Sequence, residues 1–133
     1  MTMLTQQQIE NLSRVMDERW TREMNEIRAV AERSRDDRRQ EALSGRAADQ
    51  LDAALIEISQ SADYAIVRQN VQDVRDIEAA RRRIAARTYG ICTDCDGEIG
   101  YERLQAYPTA KRCIGCQREH EQKRAAREGR GAL

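Results

Sequence analysis

Apolar residues recur at Ile9, Leu12, Met16, Trp20, Met24, Ile27 and Val30, in steps of three or four that keep them on one helical face. The run opens at Thr5, with Gln8 three positions on; the hydroxyl and the amide of such a pair can each satisfy a backbone donor left free at a helix start. The pattern predicts one long helix from Thr5 to about Leu43. Beyond Ala31 the stripe fades into ERSRDDRRQE, compatible with helix but polar all round. Ser44-Gly45 is the first turn signal, with glycine placed to close a helix in the left-handed conformation. A second helix is predicted from about Asp49 to Arg87. Its stripe is Leu51, Leu55, Ile58, Ala62, Ala65 and Ile66, resuming after polar Gln69 and Asn70 at Val74, Ile77 and Ile84. Two helices of similar length joined by a short turn can both bury their stripes only if they lie antiparallel, which gives a hairpin of about 55 Å at about 1.5 Å per residue.

At Tyr89-Gly90 the helical period stops, and glycine, proline and cysteine appear together. Residues 90–116 are expected to form a compact knuckle with a small core of Ile91, Ile99, Leu104 and Ile114. A last, mostly charged helix over about 114–128 is expected to fray into GRGAL. The predicted fold class is all-α dominated: a long antiparallel coiled-coil hairpin over 1–88 with its tip at about 44–52, then a small C4 zinc-finger knuckle with a C-terminal helix over 89–133.

Composition narrows the possibilities. There is no Phe among 133 residues, and only Trp20, Tyr64, Tyr89, Tyr101 and Tyr107 are aromatic, so a large globular core is not expected. Charged residues make up 35%, which suits long solvated helices. The formal net charge is zero, from 23 basic and 23 acidic residues, and this disfavours a primary grip on nucleic-acid phosphates. The opening MTMLTQQQIENL has neither a basic nor an apolar leader region, and no window approaches the roughly 18 apolar residues of a membrane span. A soluble cytoplasmic protein is expected, and in a reducing compartment four cysteines are metal thiolates before they are disulfides.

Cys92-Thr-Asp-Cys95 and Cys113-Ile-Gly-Cys116 are two C-x2-C pairs separated by 17 residues, the layout of a four-thiolate zinc site. Two residues between cysteines let one tight turn aim both sulfurs at one ion, and the spacer lets two such turns face each other. Gly97 and Gly115 are placed to ease those turns. Four protein ligands leave no position for water, so the ion is expected to be structural. Two disulfides would need an oxidising compartment, and a thioredoxin-type pair would need a βαβ setting that the pattern lacks. Iron in the same four thiolates stays open on geometry. Structural zinc commonly contributes on the order of 10 kcal/mol, more than so few apolar side chains could supply.

The remaining candidates carry less. His120, four residues beyond Cys116, is expected to be an exposed helical residue, and Trp20 to pack within the hairpin or on the finger. Arg81, Arg82, Arg83, Lys111, Arg112, Lys123 and Arg124 could form a modest basic surface, though interleaved acids favour a solvated face. No Ser/His/Asp set and no phosphate-cradling glycine loop is present, so no enzymatic activity is expected.

The stretch TYGICTDCDGEIGYERLQAYPTAKRCIGCQREHE resembles the C-terminal zinc finger of the DksA/TraR family of bacterial transcription regulators. The likeness is carried by Tyr89-Gly90, Ile99, Arg103-Leu104, Ala106, Pro108-Thr109-Ala110 and the four cysteines. Asp49-Gln-Leu-Asp52-Ala-Ala54 matches the D-x-x-D-x-A motif at that family's coiled-coil tip. Asp49 and Asp52 would serve equally as cap and first-turn acids of a helix. The resemblance implies that the hairpin enters the secondary channel of RNA polymerase and modulates initiation at selected promoters, with no sequence-specific DNA contact; an intramolecular hairpin further implies a monomer, and no membrane partner is expected. The basic positions that some members use with ppGpp correspond here to Asp76, Tyr107 and Gln117, none of them basic, which argues against synergy with that nucleotide. The competing reading is a zinc-finger DNA-binding or adaptor protein that dimerises through its helices.

Overall fold

A computed structural model describes residues 3–33, 51, 55 and 62–131. Four helices occur among them: α1 (Gln6–Arg33), α2 (Tyr64–Ala85), α3 (Tyr101–Ala106) and α4 (Ile114–Gly131). The described residues contain no strand, only an isolated antiparallel bridge between Ile91 and Glu98. The predicted stretch of the first helix beyond Arg33, the Ser44-Gly45 turn, Ile58, and the tip residues Asp49, Asp52 and Ala54 lie outside the described residues.

α1 begins as its sequence dictates. The Gln8 amide donates to Thr5 Oγ1 at 3.1 Å, and the Thr5 amide donates to Gln8 Oε1 at 2.9 Å, a closed capping box. α2 ends in a Schellman motif. Arg87 takes the left-handed conformation (φ 62°), its amide donates to the Ile84 carbonyl at 3.1 Å, and the Thr88 amide donates to the Arg83 carbonyl at 2.9 Å. A charged side chain therefore occupies a place that glycine usually takes.

The residues form two compact units, Val15–Ala79 and Met1–Arg14 with Ala80–Leu133. In the first, α1 and α2 pair antiparallel. Trp20 Nε1 donates to Glu78 Oε1 at 3.3 Å, while Met24, Ile27, Val30 and Ala31, further along α1, share a core with Val67, Val71 and Val74, earlier on α2. Leu51 is buried in the same core, and Trp20, Leu55 and Tyr64 pack against it. Each fully buried Ile, Leu, Met or Val is worth about 1.5–3 kcal/mol. Arg19 Nη2 meets Asp73 Oδ1 at 3.2 Å along the rim.

The second stripe departs from its prediction. Ala62 and Asp63 form a turn, so helix is not continuous from Asp49 to Arg87, and the Asp63 carbonyl accepts from the Val67 amide at 3.0 Å to start α2. The buried face is Val67, Asn70, Val71, Val74 and Ile77, whereas Ala62 and Ala65 are exposed and Ile66 is 60% exposed. Asn70 is buried, and its Nδ2 has no hydrogen-bond partner among the described residues.

In the other unit, Leu12, Ala80, Tyr89, Cys92, Ile99, Leu104 and Ala110 are buried. Ile99 and Leu104 take the predicted core positions and Ile91 is half-buried, but Ile114 is 54% exposed. As the first residue of α4, Ile114 directly follows Cys113, and successive helical residues point about 100° apart, so turning the cysteine inward turns Ile114 out. α4 continues past the predicted fraying point to Gly131.

Candidate metal centre

The first cysteine pair sits on a turn closed from both sides. The Cys92 amide donates to the Gly97 carbonyl at 2.7 Å, and the Asp96 amide donates to the Cys92 carbonyl at 3.0 Å. The left-handed residue of this turn is Asp96 (φ 62°) rather than either predicted glycine. Gly97 serves by being small, since a Cβ there would lie 3.3 Å from Cys95 Sγ, and Gly115 faces open space. The second pair opens α4. The Cys116 amide donates to Cys113 Sγ at 3.4 Å, and the Gln117 amide donates to the Cys113 carbonyl at 2.9 Å, so the first turn of the helix holds both sulfurs.

The loop that delivers Cys113 is tied down by side chains from three places. Tyr89 Oη donates to the Pro108 carbonyl at 2.7 Å, Arg83 Nη2 from α2 donates to the Thr109 carbonyl at 3.2 Å, and Arg103 Nε from α3 donates to the Arg112 carbonyl at 3.0 Å. Burial pushes the Tyr89 hydroxyl up to about 12, with Arg83 pulling weakly the other way. Gly90 (φ 88°) adjoins this core, and a Cβ there would lie 2.8 Å from Leu4 Cδ1. Two of the arginines expected on a solvated basic face, Arg83 and Arg112, are thus engaged in holding the knuckle together.

All four sulfurs, of Cys92, Cys95, Cys113 and Cys116, lie within 4.8 Å of one another, and Cys95 Sγ and Cys113 Sγ are 3.9 Å apart. Burial raises the Cys92 thiol, but the amides of Cys113, Cys95 and Asp94 aimed at its sulfur outweigh it and bring it down to about 6. Cys116 is pushed up by the neighbouring sulfurs of Cys113, Cys92 and Cys95. At Cys95 the Gly97 amide favours the thiolate, yet the Cys92 and Cys113 sulfurs prevail and raise it. The Cys92 thiolate is favoured, while those of Cys95 and Cys116 are opposed by the sulfurs beside them. A divalent cation removes that opposition, so the donor set fits a closed, four-thiolate structural zinc site. His120 lies on α4 and is not part of the sulfur cluster.

Residues 87–122 match the family described as the prokaryotic dksA/traR C4-type zinc finger. The segment that carries the four cysteines is thus similar to that C4-type finger. The RNA polymerase-binding transcription factor DksA of Buchnera aphidicola (subsp. Acyrthosiphon pisum) is 42% identical over 43 residues, which cover 32% of this chain and 28% of that protein. The proteins of the same name from Salmonella typhimurium and Escherichia coli K12 are 40% identical over 43 residues, with the same coverage. The match thus spans less than a third of those relatives' length. Three positions set against ppGpp are all in view. Asp76 Oδ1 accepts from Gln72 Nε2 at 2.9 Å, Gln117 Nε2 donates to Glu121 Oε1 at 3.0 Å, and Tyr107 is exposed with the Arg103 guanidinium 6.0 Å above its ring. No helix among the described residues is long and apolar enough to cross a membrane.

The cysteine spacing locates the four sulfurs but not the ties around them. Tyr89–Pro108, Arg83–Thr109 and Asp94–Arg112 are hydrogen bonds between residues far apart in the chain, and they leave no periodic trace.

Proposed function

We propose that this protein is a bacterial transcription regulator of the DksA/TraR type, acting on RNA polymerase rather than performing chemistry of its own. The observation that carries the reading is a four-cysteine cluster inside a dksA/traR finger, in a chain whose other compact unit is an antiparallel helix pair. In this reading Cys92, Cys95, Cys113 and Cys116 ligate one structural zinc ion. The helical hairpin enters the secondary channel of the polymerase, presents Asp49, Asp52 and Ala54 near the catalytic centre, and changes the lifetime of promoter complexes. The protein acts as a cytoplasmic monomer without sequence-specific DNA contact and without synergy from ppGpp. Zero net charge supports a protein partner over nucleic-acid phosphate as the principal one.

The test is retention of purified core RNA polymerase by the zinc-loaded chain, together with in vitro transcription. Asp52→Asn should keep helix content, bound zinc and polymerase retention, yet lose the effect on transcription. Full transcriptional activity in that variant would remove the tip from the mechanism, and failure to retain polymerase would remove the reading itself. A dimer in sedimentation that binds duplex DNA would favour the adaptor reading instead.

A further inference from the structure

Asp94 lies between the first two cysteines, and Arg112 directly precedes the third. Arg112 Nε donates to Asp94 Oδ2 at 2.9 Å, and Thr93 Oγ1 donates to Asp94 Oδ1 at 3.3 Å. The carbonyl of the same arginine accepts from Arg103 Nε at 3.0 Å. Beside it the Thr93 amide donates to the Lys111 carbonyl at 2.9 Å. Arg112 is therefore held from behind by α3 while its guanidinium reaches forward to the opposite cysteine turn. Its side chain is only 16% exposed, against 43% for Asp94, so the cation is mostly withdrawn from water at its point of contact.

We infer that Asp94 and Arg112 are positioning residues for the metal site, forming a latch that joins the two cysteine pairs from outside the coordination shell and slows release of the ion. The inference rests on the reading of the four cysteines as ligands. A four-thiolate site gives up its ion one sulfur at a time, and the ion leaves once one cysteine pair has swung away from the other. That motion must also break the Arg112–Asp94 pair and the Thr93–Lys111 hydrogen bond, so both oppose it. Neither group touches the ion, so neither alters the ligand field.

The test uses the full chain as Asp94→Ala, Arg112→Ala and the double variant, each first assayed for one zinc per chain by elemental analysis. Zinc transfer to a chromophoric chelator is then timed at low salt and at about 1 M salt, where charge pairs are screened within about 3 Å. Each single variant should release zinc about 3- to 10-fold faster than the parent at low salt. This is less than the 10–100-fold typical of outer-shell partners because Asp94 is open to solvent. The double variant should be no faster than the faster single variant, high salt should narrow the gap, and the visible spectrum of the cobalt-substituted protein should be the same throughout. Unchanged release rates in zinc-loaded variants, an additive double variant, or an altered cobalt spectrum would each overturn the latch. A parent chain that binds neither zinc nor cobalt would overturn the ligand reading and the latch with it.

Discussion

Tyr89 spends its hydroxyl on a backbone carbonyl inside the knuckle, and that choice has a measurable cost when undone. Tyr89→Phe keeps the ring but leaves the Pro108 carbonyl without its 2.7 Å donor, which should cost about 1–2 kcal/mol in urea unfolding of the zinc-loaded protein. The same burial gives a pH dependence of fixed sign. The folded-state value is raised from 10.0 to about 12, so the neutral phenol is favoured by folding; its contribution is complete below pH 10 and lost as pH climbs through about 12. Ultraviolet titration of the wild type and of Tyr89→Phe should differ by one phenol that ionises only as pH approaches about 12. Glu23 carries the opposite kind of tension. Burial first, then Asp73 and Glu26, raise its carboxyl against the pull of Arg19 and Arg22, and its Oε2 has no hydrogen-bond partner among the described residues.

Among the elements, α1 was legible because every signal agreed. The Thr5–Gln8 box closed as predicted, and Leu12, Met16, Met24, Ile27 and Val30 are all buried. α2 was legible only in part, because a hydrophobic stripe is read by skipping polar residues and this one contains Asn70 at a buried place. With Asn70 interrupting it, the apolar pattern points to Ala62, Ala65 and Ile66 instead, and the turn at Ala62–Asp63 has no glycine or proline to announce it. An enclosed Asn with an unpaired amide is a stability cost that can instead fix the register of paired helices. Asn70→Leu should therefore raise the unfolding free energy by about 1–2 kcal/mol at unchanged urea m value, and the accompanying sign of lost register would be broadened amide resonances along α2. In the knuckle, cysteine spacing alone located the four sulfurs. The arginine and tyrosine ties that shape the loop between them could not be read, since one polar side chain resembles another until its distant carbonyl is known.

At the scale of the molecule, the two compact units draw on different sources of stability. Val15–Ala79 holds a contiguous apolar core, whereas the unit containing the knuckle has few large buried side chains beyond Leu12, Tyr89, Ile99 and Leu104. Stripping the metal with a strong chelator should remove on the order of 10 kcal/mol from the second and little from the first. Circular dichroism should then retain a cooperative melt from the helix pair, while hydrogen exchange at Cys92–Cys116 becomes fast. A single transition that moves as a whole on chelation would contradict this division.

The unit that carries the cysteines is also assembled from both ends of the described chain. Leu4 borders Gly90, close to Leu104, although the whole of Val15–Ala79 separates them in sequence. During synthesis on the ribosome, the segment before Val15 has no partner until the finger has emerged, while Val15–Ala79 can already collapse on itself. Newly made chains should consequently bury the helix-pair core first and capture their metal last, so a ribosome stalled with Ala79 just clear of its exit tunnel and Cys92 still inside would display a protease-resistant fragment that holds no zinc.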